Sequence, residues 1–320
     1  MKIPGFKRVR LLYRWLRSRW GGQALILGYH RITAYEHDPF NICVSPQHFA
    51  EQLIALRQLA EPIPLMVLLA GLREGNLPKR AVVITLDDGY ADTLYEAVPL
   101  LEQYHIPATV FVTTGYQGRH FWWDILERIL TTPCLPPKSY LSLPYPIKIQ
   151  MEQLTLATRK QMLWQLYNYL LPLPAEEREI VMEQLQKWLV EDSDRGGRPL
   201  DSTELRQLTA HELITIGGHT VTHPLLATLS PPQQEFEIRQ CKIDLEGTIE
   251  GDPIAVFSYP NGSHSSITQS LIQKVGYQCA CASYNDLIYQ NSDPFQLPRF
   301  WISDWNGVQF SRWLQHWLPR

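Results

Sequence analysis

Residues 81–90 read AVVITLDDGY, a run of mostly apolar residues from Ala81 to Leu86 that delivers Asp87, Asp88 and Gly89. The run does not alternate apolar with polar. It reads as a strand covered on both faces, as parallel sheets require. Two adjacent carboxylates at its end repel, and desolvating either is costly unless it gains a partner. A strand-ending Asp-Gly turn, with the second Asp capping a helix, is the structural explanation. A charged site at the end of a buried strand is the functional one.

Outward from this stretch the chain alternates strand and helix. QALILGYH, from Gln23 to His30, is a first strand. VSPQHFAEQLIALRQL follows as a helix, with Ser45 as N-cap and Pro46 at the first helical position. After the Asp pair, DTLYEAVPLLEQYH reads as a helix and IPATVFVTT as a strand. This rhythm predicts a parallel α/β architecture. It breaks near His120: FWWDILERIL, a Pro-rich loop and two further helical stretches carry no convincing strand up to about residue 200. It resumes with STELRQLT, HELITIGGHT, the long helix after Ser230, PIAVFSYP, SSITQSLIQKVG, YQCACASY and an amphipathic C-terminal VQFSRWLQHWL. The expected organisation is a basic helix over 1–22, a main α/β unit over 23–120 and 200–320, and a helical insertion over 121–199.

The composition, 45% hydrophobic and 19% charged with net charge −3, gives no reason to expect nucleic acid as a partner. Five cysteines at no convincing metal spacing suggest a reducing compartment without a disulfide framework. The N-terminus, MKIPGFKRVRLLYRWLRSRWGG, is basic and has no acid and no uninterrupted apolar stretch. It resembles neither a signal peptide nor a membrane span, and suits either a packed surface helix or a helix lying on an anionic membrane. The expected location is cytoplasmic, with peripheral contact at the inner face of the membrane left open.

A second stretch, GGHTVTHPLL, places His219 and His223 four residues apart just after a predicted strand. In a loop or first helical turn, imidazoles at i and i+4 can point at one ion. Solvated His pairs are common, but this pair shares its place, the carboxyl end of a strand, with the Asp pair. Two His and one carboxylate make a facial set with open positions. An ion there would partner one Asp and leave its neighbour as a base.

TLDDGY, HTVTHP and FSYPNG, in that order and each ending a strand, resemble the motifs of the polysaccharide deacetylase family, carbohydrate esterase family 4. The resemblance covers most of residues 24–120 and 200–300. It implies a distorted (β/α) barrel of about seven strands and metal-dependent hydrolysis of N-acetyl, sometimes O-acetyl, groups on glycans. By the same resemblance Asp87 is the catalytic base, and Asp88, His219 and His223 hold a divalent metal, zinc by default. The backbone N–H of Asn261 would face the developing oxyanion. Familiar members place an Arg at the position of Ser258 and a late Leu-x-His; here the late candidate, His316, reads as a surface or packing residue. LGYHRI and Tyr-Pro-x-Gly match instead the subgroup that includes poly-N-acetylglucosamine deacetylases, which implies His30 as the general acid. Arg299 in QLPRFWI, with Arg31 as a rival, would replace the missing Arg beside Asp87. Of Trp122 and Trp123, one is expected in the core, while the other remains a possible sugar platform.

The expected function is therefore hydrolytic deacetylation of an N-acetylated oligo- or polysaccharide. Two alternatives stay open: an inactive glycan-binding or scaffold protein that keeps the barrel, and a hydrolase of another amide or ester on a lipid-linked sugar.

Overall fold

The structure, a computed structural model, describes residues 22–35, 38–131, 155–186 and 197–318. The expected basic N-terminal helix, Cys134 and the Pro-rich stretch after Thr131 lie outside the described residues. The chain opens with β1 (Gln23–Tyr29), β2 (Arg31–Ile32), β3 (Cys43–Val44) and helix α1 (Pro46–Leu59). After β4 (Glu61–Pro62) and α2 (Leu65–Glu74) come β5 (Ala81–Leu86), a π-helical turn over Thr93–Ala97, α3 (Val98–Gln103) and β6 (Ala108–Val112). Helices α4 (Trp122–Thr131), α5 (Leu156–Leu170) and α6 (Ala175–Gln186) lie between β6 and α7 (Ser202–Thr209). The alternation then resumes with β7 (Ile214–Gly218), α8 (Pro231–Thr248), β8 (Val256–Ser258), α9 (Ser266–Val275) and β9 (Cys279–Cys281). The chain closes on β10 (Ile288–Tyr289), β11 (Phe300–Trp301) and α10 (Gly307–Trp317).

Local chemistry accounts for the element ends. Ser45 accepts from the His48 N–H and Pro46 takes a position whose N–H needs no partner. The single helix expected over residues 92–105 is instead a π-helical turn running into a short α-helix. Pro99 sits at that junction, where a residue without an N–H disturbs the regular ladder. Helix α2, not expected from the sequence, stops at Gly75 in the left-handed conformation (φ 77°).

The strands form a nine-stranded sheet in the order β10-β1-β5-β6-β7-β8-β9, with β4 on β5 and β11 on β1. Every pairing is parallel except that of β10 with β1. The sheet curls as the expected barrel does, and one segment joins its two edges. Leu297 pairs with Cys281 of β9, and Phe300–Trp301 pairs with Leu27–Gly28 of β1. Alternate strand residues serve two cores. Ala24, Ile26, Val83, Phe111, Val256 and Cys279 share an inner cluster with Leu65, Leu68 and Leu69 of α2. Leu25, Leu27, Val82, Ile84 and Val110 pack with the other helices outside. Phe121, Trp122, Leu126, Met162, Leu166, Val181 and Leu185 build a third cluster under α4–α6. No described helix is long and apolar enough to cross a membrane. Cys43, Cys241, Cys279 and Cys281 are buried free thiols.

The register decides what meets at the carboxyl ends. Tyr29 pairs with Leu86, Val112 with Gly218 and Ser258 with Cys281. His30, Asp87, Thr113 and His219 therefore all follow the last paired residues of neighbouring strands.

One ion-pair anchor ties the chain after α6 back to the barrel. Glu204 accepts from Arg198 through both oxygens at 2.6 Å, from Tyr95 Oη at 2.6 Å and from the Asp201 N–H at 2.9 Å. The Arg198 hydrogen bonds hold its carboxyl down to about 2 against burial. A carboxylate with a folded pKa below its unfolded value, ~4.3, stabilises the fold above that value. That contribution disappears as pH falls through the folded pKa. Glu204→Gln should accordingly shrink the fall in melting temperature between ~pH 5 and ~pH 2.5. An acid limb as steep as that of the unsubstituted chain would contradict this anchor.

Candidate active site

Asp87 leaves β5 into the closing seam of the barrel. Its Oδ1 accepts from Arg299 Nη1 at 2.7 Å and its Oδ2 from Arg299 Nη2 at 2.8 Å, a bidentate pair with Arg299 fully buried. Arg299 also donates to Thr85 Oγ1, Ser258 Oγ and the Ala282 carbonyl. Ser258, which stands where familiar relatives carry Arg, donates to Asp87 Oδ2 at 3.1 Å. Burial raises the Asp87 pKa, but the Arg299 charge and its hydrogen bonds more than reverse it, leaving the carboxyl well below its usual range. Arg31, the rival, is engaged elsewhere, with Nε 3.0 Å from Asp92 Oδ2.

Asp88, His219 and His223 come together one step away. Asp88 Oδ1 lies 3.5 Å from His219 Nε2 and 3.4 Å from His223 Nε2, and the three ligand atoms fall within 4.8 Å of one another. His219 Nδ1 is 2.8 Å from the Ser258 carbonyl. That acceptor assigns the proton to Nδ1 and leaves the Nε2 lone pair facing Asp88. Burial lowers the His223 pKa to about 3, so its imidazole is neutral. Asp88 Oδ1 is buried without a hydrogen-bond partner. Converging lone pairs around an orphaned carboxylate oxygen fit a cation, and a set of two imidazoles and one carboxylate suits zinc or a similar ion.

The ligand loop is held from two sides. Glu237 on α8 accepts the Val221 and Thr222 N–H groups at 2.8 and 2.9 Å and the Thr222 hydroxyl at 2.6 Å. Arg178 on α6, buried and stacked 5.2 Å over Trp122, donates to the Thr222 carbonyl at 2.7 Å. Neither residue was suggested by the sequence, because each reaches the loop from a separate helix, Arg178 across 44 residues and Glu237 across 15 or 16. Trp122 and Trp123 are 2% and 6% exposed, which removes Trp122 as a platform. Trp123 instead donates to Tyr90 Oη at 2.7 Å and lies with its ring 4.7 Å from His223.

These groups face a cavity of about 490 Å³ lined by His30, Asp87, Asp88, His219, His223 and Asn261, among others. His30 is half-buried and stacks on Trp301 (4.5 Å, 20°), another residue the sequence did not single out. Gly28 makes room for it: a Cβ there would lie 2.6 Å from the Trp301 ring. Burial lowers the His30 pKa, opposed by the charges of Asp88 and Asp87. Asn261 occupies the Pro260–Gly262 turn with φ 52°. His316 is exposed on α10, against Trp317.

Known proteins share this chain's family domain and fold. The family model described as Polysaccharide deacetylase matches residues 74–135 and 184–280. Poly-beta-1,6-N-acetyl-D-glucosamine N-deacetylases of Staphylococcus aureus and Staphylococcus epidermidis are 35% and 34% identical over 109 and 111 residues. Each match covers 30% of this chain, and the chain spans 37% of the length of those relatives. Among solved structures, Streptococcus pyogenes deacetylase PplD in complex with acetate superposes with TM-score 0.63 at 17% identity, over 94% of this chain and 100% of that one. IcaB from Ammonifex degensii gives 0.60 at 18%, over 92% and 98%. At such identities these two establish the fold.

The Arg299–Asp87 pair carries an asymmetry that denaturation can read. Arg299→Met leaves a buried carboxylate without its cation and should cost about 3–5 kcal/mol of unfolding free energy. Asp87→Asn should cost less, because the guanidinium keeps the amide oxygen, Thr85, Ser258 and Ala282 as acceptors. Equal costs, or a neutral Arg299→Met, would contradict the assignment.

Proposed function

The chain belongs to the polysaccharide deacetylase family, and from that premise we propose that it is a metal-dependent hydrolase removing N-acetyl groups from a glycan. One observation carries the reading: a carboxylate–imidazole–imidazole cluster with an orphaned oxygen stands beside a second carboxylate fixed by a buried guanidinium. Asp88 through Oδ1, and His219 and His223 through Nε2, are the groups that would hold the ion. When bound, a zinc-type ion supplies Lewis acidity, drawing a water's pKa towards ~7 and polarising an acyl carbonyl.

The remaining steps fall to the chain's own residues. Asp87, with both oxygens fixed, takes the proton of the attacking water. Arg299 weakens it as a base and in exchange holds it in one orientation, so the proton it accepts must come from an acidic donor. The water oxygen bonds to the acyl carbon, and the Asn261 N–H is assigned to the developing oxyanion. The C–N bond then breaks, His30 gives its proton to the departing nitrogen, and acetate and an amino sugar leave. Burial works against the imidazolium at His30, so the proton it gives is held best on the acidic side of neutral. The Staphylococcus relatives, named for poly-β-1,6-N-acetyl-D-glucosamine, favour a polymer of N-acetylglucosamine as the substrate.

The inactive-barrel alternative draws on the missing motif Arg and the missing late His; Arg299 stands beside Asp87, while His316 lies exposed on α10. A lipid-linked sugar would suit the basic N-terminus, which lies outside the described residues. Asp87→Asn separates the active reading from the inactive one. Acetate release from a β-1,6-linked N-acetylglucosamine oligomer should fall by about 10²–10⁴-fold, with metal content by elemental analysis unchanged. Full activity in that variant would refute the base assignment.

A further inference from the structure

Trp164 on α5 is 42% exposed and is the one tryptophan among the described residues left open to solvent. It does not stand alone. Phe40, from the loop between β2 and β3, meets Trp164 edge-on at 5.4 Å and Tyr167 at 4.9 Å. Trp164 and Tyr167, three apart on one face of α5, approach at 5.5 Å. Tyr167 is stacked on buried Trp122 at 5.2 Å and 24°, which fixes this aromatic group to the core beneath α4. All three residues line the same cavity as Asp87, Asp88 and the two metal-site histidines.

The chemistry of that wall is specific. The acetamido group consumed in the proposed reaction needs only the floor, where His30, Asp87, Asp88, His219 and His223 converge. About 490 Å³ falls within the range of clefts that engulf ligands much larger than an acetamido group (~300–1,000 Å³). Among the described lining residues, the carboxylates are Asp87 and Asp88, and no lysine or arginine appears. The upper wall therefore offers nothing to pair with an anion, and its aromatic faces suit an occupant with a flat apolar face and polar edges. A pyranose ring has that shape: C–H groups on its faces and hydroxyls around its rim, matching aromatic faces beside open water. Burial, aided by the Asp88 charge, pushes the Tyr167 phenol up to about 12, keeping it a neutral hydrogen-bonding group.

We propose that Phe40, Trp164 and Tyr167 form a subsite for the sugar ring adjacent, in the same glycan chain, to the one being deacetylated. The inference rests on the glycan reading above. It gives α5 a role: the helix supplies a wall that makes an oligomer, rather than a single amino sugar, the preferred ligand. A lipid chain of a lipid-linked sugar is the rival occupant, and it would not distinguish sugar-chain lengths.

Equilibrium binding tests it in the Asp87→Asn protein with its metal in place, where the ligand is not consumed. The probes are N-acetylglucosamine and its β-1,6-linked trimer, followed by titration calorimetry. The trimer should bind at least about tenfold more tightly, a gap of the size one or two stacked rings provide. Adding Trp164→Ala should remove most of that gap and leave the monomer affinity in place, whereas Trp164→Phe should keep it. Trp164 is partly exposed, so Trp164→Ala should lower the melting temperature only slightly, and Trp164→Phe, which keeps the ring, controls for the lost packing. Equal affinities for monomer and trimer, no detectable trimer binding, or a gap that survives Trp164→Ala would each overturn the subsite. Acetate release by the unsubstituted chain from the same trimer is scored separately. Its absence refutes the deacetylase reading while the binding comparison still decides the wall.

Discussion

The bidentate contact between Arg299 and Asp87 lies where the curled sheet is joined to itself. Segment 297–301 bonds to β9 on one side and β1 on the other, and Arg299 points from it into the barrel. Removing two charges from water is costly, and a buried ion pair is weak evidence for stability by itself. Its value here is orientation. The guanidinium fixes both oxygens of Asp87 and also grips Ser258. The carbonyl of the same Ser258 takes the Nδ1 proton of His219 and leaves Nε2 for an ion. One cation thus sets the aim of the proposed base and, through one serine, stands next to the contact that selects the tautomer of a proposed metal ligand.

The site is held against backbone preference. Asp88, Thr220, His223 and Asn261 all adopt left-handed conformations, φ between 52° and 73°, without being glycine. Each such residue costs on the order of 1–3 kcal/mol and persists only where its surroundings over-determine it. The surroundings here are visible. Glu237 and Arg178 secure the backbone between His219 and His223, and the Thr113 N–H donates to the Asp88 carbonyl at 3.2 Å. Arg178 arrives from α6, so the helices between β6 and α7 take part in shaping the ligand loop.

Much of this was legible in the sequence, for identifiable reasons. A buried parallel strand has an apolar run with no alternation, so β1, β5 and β6 announced themselves. Asp87, Asp88, His219 and His223 were marked by lying at strand ends at short spacings. Arg299 was foreseen from its place after a late strand, where it could replace the Arg missing from the resembled family motif, although sequence alone left Arg31 in contention. Helix α2 was missed because LMVLLAGL is apolar all round: it packs against the inner cluster of the barrel and carries no amphipathic period. Trp301, Arg178, Glu237 and the Phe40–Trp164–Tyr167 wall were missed because each meets its partner from a different element. No local pattern marks a residue whose partner is fixed only by the fold.

The most direct test of the account is metal content, measured by elemental analysis on protein purified without added metal and again after titration with zinc. The account predicts about one divalent ion per chain, lost when either His219 or His223 is replaced by Ala. Protein that holds no ion, takes none up on titration, or binds one equally well without both histidines would contradict it.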